Sequence, residues 1–160
     1  MLVIADSSPI IALVNIGYVE VLPELFQHIA IPPTVADELA RPARPEKVRE
    51  FIRKLPSWLS IRKPSIVESI PNIHAGEREA ISLARELHAD LLLIDDDDGK
   101  KAARARNVAV TGTVGVLERA ARQKLLNLEE AFDRLKKTDF WIRAAVLDER
   151  LKLYRNEHST

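Results

Sequence analysis

Asp6 follows an apolar run at residues 2–5, and Asp95, Asp96, Asp97 and Asp98 follow another at residues 91–94. Carboxylates held a few ångströms apart repel one another and raise each other's pKa, and a bound divalent cation is the usual relief when several must stay ionised. A site made of oxygen ligands selects hard cations, Mg²⁺ first because it keeps several waters and takes few carboxylates, with Mn²⁺ as its substitute. Such an ion favours hydrolysis of a phosphodiester by activating water and neutralising developing charge. Asp97 and Asp98 also suit the start of a following helix, where carboxylates satisfy free N–H groups and favour the positive end of the dipole. The acids expected to act are therefore Asp95 and Asp96, with no choice made between them.

Two glutamates can join this set. Glu77 falls in a helix expected over residues 75–88, and at about 100° per residue it shares a side with Ala80, Ile81 and Ala84, while Glu79 and Glu86 turn toward water. A carboxylate at the edge of an inward face needs a partner or a cation, though a place near a helix N-terminus gives it a second reason to be there. Glu38 flanks Val35 and Leu39 in a short helix; its angle permits an inward role without compelling one. Histidine chemistry finds little support: His28, His74, His88 and His158 lack metal-binding spacing, and His74, close to Glu77, reads as a loop residue making an ordinary hydrogen bond. The chain has no cysteine, so thiol nucleophiles, disulfides and thiolate zinc sites are excluded.

The elements that would gather these acids are short. Apolar runs without alternation at 2–5, 29–31, 91–94 and 108–110 suit strands covered on both faces, and a further strand is expected near 59–62. Helices are expected between them at 19–27, from Thr34, over 46–55, 75–88 and 99–106, and throughout the chain beyond Val114. Ser7 or Ser8 would cap a first helix with Pro9 in its first turn. Strands alternating with helices give an α/β fold with a mainly parallel sheet and helices on both faces, in which all strands end on one edge. Open sheets of this kind carry their crevice there. Ser7, Thr111 and Thr113 end up at that edge and could orient water or phosphate, or cap helices instead.

Length and composition fit a single domain over residues 1–155, followed by a disordered polar tail at 156–160. The amino-terminal apolar run is too short for a signal peptide or a spanning helix, so a cytoplasmic protein with no membrane partner is expected. Lys plus Arg and Asp plus Glu number 24 each, so no global positive field draws the chain to nucleic acid and any RNA contact must be local. Lys100, Lys101, Arg104 and Arg106, just after the aspartates, are the basic group best placed to hold phosphates. Aromatic residues are only 5% of the chain, which makes base stacking a minor expectation. The apolar carboxyl-terminal helices are mostly core, with excess face for a homodimer or a partner's helix.

Taken in order, these stretches resemble a known family. Leu2-Val3-Ile4-Ala5-Asp6-Ser7-Ser8-Pro9-Ile10-Ile11-Ala12-Leu13 resembles the opening motif of PIN domains, and Val35-Ala36-Asp37-Glu38-Leu39 the second. Gly76-Glu77-Arg78-Glu79-Ala80-Ile81-Ser82-Leu83-Ala84 and Leu91-Leu92-Leu93-Ile94-Asp95-Asp96 are similar to the third and fourth. The likeness covers about two-thirds of the chain. It departs from the pattern at Glu77, where many PIN domains have aspartate, and in the four-aspartate run. The closer likeness is to a little-characterised prokaryotic branch related to the toxins of VapBC-type toxin-antitoxin pairs.

The resemblance implies a PIN-like three-layer sandwich and a Mg²⁺- or Mn²⁺-dependent endoribonuclease. Asp6, Asp95, Asp96 and Glu77 would hold metal, Glu38 would complete the catalytic set, and Ser7, Thr111, Thr113, Lys100 and Lys101 would contact RNA. An antitoxin protein is an implied partner. The alternative from another class is a catalytically silent PIN-like module that binds RNA or protein. Toprim-like and haloacid-dehalogenase-like sites fit poorly, since they call for a glutamate at Asp6 or an aspartate at Ser8.

Overall fold

The computed structural model describes residues 1–158. Strand β1 (Val3–Ala5) leads into α1 (Ser7–Asn15) and α2 (Val21–Phe26); β2 (Ile29–Ile31) is followed by α3 (Pro33–Leu39) and α4 (Glu46–Arg53). Strand β3 (Leu59–Ile61) precedes α5 (Ala75–Glu86), and β4 (Leu91–Leu93) precedes α6 (Asp97–Arg104). The chain closes with β5 (Val110–Thr111), α7 (Thr113–Arg122), α8 (Leu128–Lys136) and α9 (Ala144–Glu157).

The five strands form one parallel sheet in the order β3-β2-β1-β4-β5. Burial follows from that order. The three inner strands β1, β2 and β4 are buried at every residue, as their unbroken apolar sequences require, whereas the edge strands β3 and β5 are partly open. Alternate side chains go to opposite faces. Val3, Ala5, Ile29, Ile31, Leu91 and Leu93 enter a core shared with α1, α7 and α8, while Ile4, Ala30, Leu92 and Ile94 enter a second core with α5 and α6. Two cores separated by one sheet make the fold the three-layer α/β sandwich that was expected.

Chain order reverses at β1: β2 and β3 lie to one side, β4 and β5 to the other. The crevice of an open α/β sheet opens at such a reversal, beyond the carboxyl ends of the strands. Ala5 pairs with Leu93, and the Asp6 N–H continues the ladder to the Leu93 carbonyl at 2.8 Å, so Asp6 and Asp95 leave adjacent strands at the same level.

Four local expectations are corrected. The strand expected at 108–110 begins later, because Asn107 takes a left-handed conformation (φ 62°) and Val108 returns its N–H to the Ala103 carbonyl, closing α6; pairing with β4 starts at Ala109. Neither Ser7 nor Ser8 caps α1. Asp6 holds the cap position, without a side-chain cap bond, and Ser7 is turned toward Glu38. Glu79 does not point to water: it is half-buried and accepts the Thr34 hydroxyl, tying α3 to α5. Finally, α9 continues through Glu157, where a tail was expected from residue 156; Arg122 pairs with Glu157 and the Tyr154 hydroxyl reaches the Ala121 carbonyl, holding the helix on α7. Residues 159 and 160 of that expected tail lie outside the described residues.

Candidate metal centre

Asp6 is 4% exposed, Glu77 8% and Asp95 4%, an unusual burial for carboxylates. Burial raises the Asp6 pKa to about 7; the Ser7 backbone N–H opposes the shift, and the charges of Glu77, Glu38 and Asp95 add to it. Glu77 is also pushed up to about 7, again mainly by burial, with repulsion from Asp96, Glu38 and Asp98. Asp95 is raised by burial but held back by hydrogen bonds from Thr113 and by the Lys100 charge. These mutual effects show that Asp6, Glu38, Glu77, Asp95 and Asp96, expected to meet, do share one electrostatic neighbourhood.

The acids arrive from separate parts of the chain, with only Asp95 and Asp96 sharing the connection between β4 and α6. Asp6 stands between β1 and α1. Ser7, one residue on, donates its hydroxyl to Glu38 Oε2 at 2.5 Å and so draws the α3 carboxylate toward the end of β1. The opposite side of Glu38 lies against Gly76 in the first turn of α5: a methyl group there would sit 2.9 Å from Glu38 Cδ and closer still to Oε1. Gly76 is thus glycine because a carboxylate occupies the space of its side chain. Glu77, the next residue, is directed inward as its helical angle predicts.

On the other side of the crevice, Asp95 is held at both oxygens. The Thr113 N–H reaches Oδ1 at 2.7 Å, and its hydroxyl reaches Oδ2 at 2.8 Å. A methyl group at Gly112 would lie 2.6 Å from Asp95 Oδ1, 3.2 Å from Lys100 Nζ and 3.3 Å from the Ile94 carbonyl, so a bare backbone is what lets the start of α7 approach. Lys100 thereby stands beside Asp95. Asp96 is exposed and caps α6, its Oδ2 accepting the Gly99 N–H at 2.8 Å. That cap had been assigned to Asp97 and Asp98; both occupy the first turn instead, and only Asp98 affects Glu77.

The expected contact residues differ in how open they are to solvent. Thr113 is fully buried with both donors committed to Asp95, so it positions a carboxylate and is screened from solvent. Thr111, at the end of β5, is half-buried with its hydroxyl packed against Gly115. Lys101 is exposed on α6, about 100° around the helix from Lys100. His74 precedes α5 as an exposed residue without a side-chain cap bond. The sequence reading missed the Thr113 to Asp95 link and the packing of Glu38 on Gly76. The Thr111-Gly112-Thr113 stretch was the available signal for the first; nothing local signalled the second.

Two buried oxygens, Asp6 Oδ1 and Glu77 Oε2, have no hydrogen-bond partner among the described residues. Leaving such atoms unsatisfied is costly, and a hard cation is a partner that suits oxygen donors of this kind. Among the described residues, no three His, Asp or Glu side chains already form a complete ligand group. A divalent ion held there would take one or two carboxylates directly and reach others through its retained waters.

A family profile, DUF3368, described as a PIN domain, matches residues 2–156, and the chain belongs to that family. A PilT N-terminus domain protein, SSO1118, of the hyperthermophilic archaeon Sulfolobus solfataricus P2 has a similar structure. It aligns over 75% of this chain and 93% of its own, with a TM-score of 0.53 and 19% identity, a likeness of fold. No curated protein matches. Among the described residues, no helix is long and apolar enough to cross a membrane.

Proposed function

We propose that this PIN domain is an endoribonuclease dependent on Mg²⁺ or Mn²⁺, with Asp6, Glu77, Asp95 and Asp96 as the metal-holding acids. The observation that carries the reading is the pair of buried, unpartnered oxygens on Asp6 and Glu77, placed where the sheet order reverses. The cation would activate water and neutralise charge developing on the scissile phosphate. Glu38, half-buried and hydrogen-bonded by Ser7, is the carboxylate best placed to accept a proton or orient water. Thr113 fixes Asp95, Ser7 fixes Glu38, and Lys100 offers its ammonium to a phosphate oxygen at the same edge. With acidic and basic residues in balance, the substrate is held by such local contacts and by the cation.

The test compares the wild-type protein with Asp6→Asn on structured and unstructured RNA in Mn²⁺, with EDTA as control. Cleavage by the wild type alone, abolished by EDTA, is the expected result; equal behaviour of the two proteins would refute it. A toxin role, with an antitoxin as partner, extends the same reading by family likeness. It calls for growth arrest on expression that Asp6→Asn relieves.

A further inference from the structure

One aromatic residue is out of keeping with the low aromatic content. Trp141, in the connector between α8 and α9, is 60% exposed. Its ring lies 5.9 Å from that of Phe140, at 29° between planes, and Phe140 is half-buried against the larger core. A large flat ring is therefore anchored from behind and presented to solvent. It borders a groove of about 270 Å³ whose other walls include Asp95, Lys100, Arg104 and Thr111. One acid of the carboxylate cluster, Asp95, and an exposed aromatic ring thus wall the same groove. Lys100 and Arg104, four residues apart, project from one face of α6 along it. Arg150 also lines the groove, but its guanidinium is engaged by the buried Glu118 carboxylate.

Cations in line with an exposed ring match the chemistry of a single nucleic-acid strand, whose phosphates and bases alternate along its length. The geometry points to a base-stacking subsite: Trp141 receives an unpaired RNA base next to the scissile phosphate, with Lys100 and Arg104 on the intervening phosphates. The inference rests on the nuclease reading for the identity of the strand and specifies single-stranded RNA. A duplex keeps its bases stacked on one another and cannot present one to the ring. A protein segment would have no use for the row of cations unless it were acidic, and an acidic segment would meet the Asp95 carboxylate in the same groove.

Because the chain has two tryptophans, Trp58→Phe leaves Trp141 as the sole reporter. Its emission is followed in EDTA on titration with a single-stranded RNA decamer, an abasic strand of equal charge, and a duplex. Quenching by the single strand and by neither of the others is expected. Trp141→Ala should weaken binding of the single strand roughly tenfold, with Trp141→Phe intermediate, while unchanged thermal unfolding confirms folding. Absent quenching, equal quenching by the abasic strand, or unaltered affinity of Trp141→Ala would overturn the subsite. Mn²⁺-dependent cleavage, measured in parallel, separates the two readings: quenching without cleavage leaves the subsite and removes the nuclease, and cleavage indifferent to Trp141→Ala does the reverse.

Discussion

Thr113 commits both of its donors to one acceptor group, its N–H at 2.7 Å and its hydroxyl at 2.8 Å from the two oxygens of Asp95. Because Thr113 opens α7 and Asp95 leaves β4, this pair locks a helix start to a strand end and leaves Asp95 with one orientation.

Thr113→Val keeps the volume and the N–H bond but strips Asp95 Oδ2 of its partner. The expected loss of stability is about 1–3 kcal/mol, the cost of an unsatisfied buried acceptor, read from urea unfolding at pH 8. Mn²⁺ affinity should fall with it, because the carboxylate is free to turn. Unchanged metal affinity would show that Asp95 needs no such hold.

Stability of the metal-free protein should decline as pH rises from about 5 to 8. Burial holds Asp6 and Glu77 at about 7 when folded, against ordinary values of 3.8 and 4.5. Between those values the folded state binds more protons than the unfolded one, so unfolding becomes easier as pH rises, levelling off above the folded pKa. A fall in Tm of roughly 5–10 °C is expected in EDTA, and saturating Mn²⁺ should remove most of it. A flat profile in EDTA would mean that burial does not hold the two carboxyls protonated.

Asp6→Asn should separate stability from function. Removing one charge from a buried like-charged group relieves repulsion and desolvation, so the metal-free variant should unfold at higher temperature than wild type at pH 8. Calorimetric titration should show Mn²⁺ affinity reduced by at least about tenfold, since a ligand is gone. A destabilised variant would indicate that Asp6 is paired in a way its unpartnered oxygen does not show.

Gly76→Ala reverses an ordinary expectation. Near the start of an exposed helix the change would add up to roughly 1 kcal/mol, but here the new methyl group enters the space of the Glu38 carboxylate. That carboxylate ends a flexible side chain and can swing aside, so stability should change by less than about 1 kcal/mol. The effect should fall on Mn²⁺-dependent RNA cleavage, lowered about tenfold as Glu38 leaves the Ser7 hydroxyl. Full activity would remove Glu38 from the working set.

The family, the parallel sheet and the placing of acids at the strand ends were legible because each depends on short-range pattern. Unbroken apolar runs announce buried parallel strands, a polar residue at the end of such a run falls at the crevice, and helical angle turned Glu77 inward. Glu79 was misread by the same rule, since angle specifies direction and says nothing of a neighbour such as Thr34. Strand β5 was misplaced because Val108 is apolar for the sake of the smaller core and not for the ladder.

Sequence by itself determined which residues carry charge and that the ends of β1 and β4 would be acidic. Tertiary structure alone decided that Ser7 grips Glu38 across 31 residues, that Thr113 closes on Asp95 across 18, and that Trp141 and Asp95 line one groove. The physical reason is that hydrogen-bond partners and cavity walls are chosen by proximity in space, and the sheet order that creates this proximity is set by the packing of whole elements.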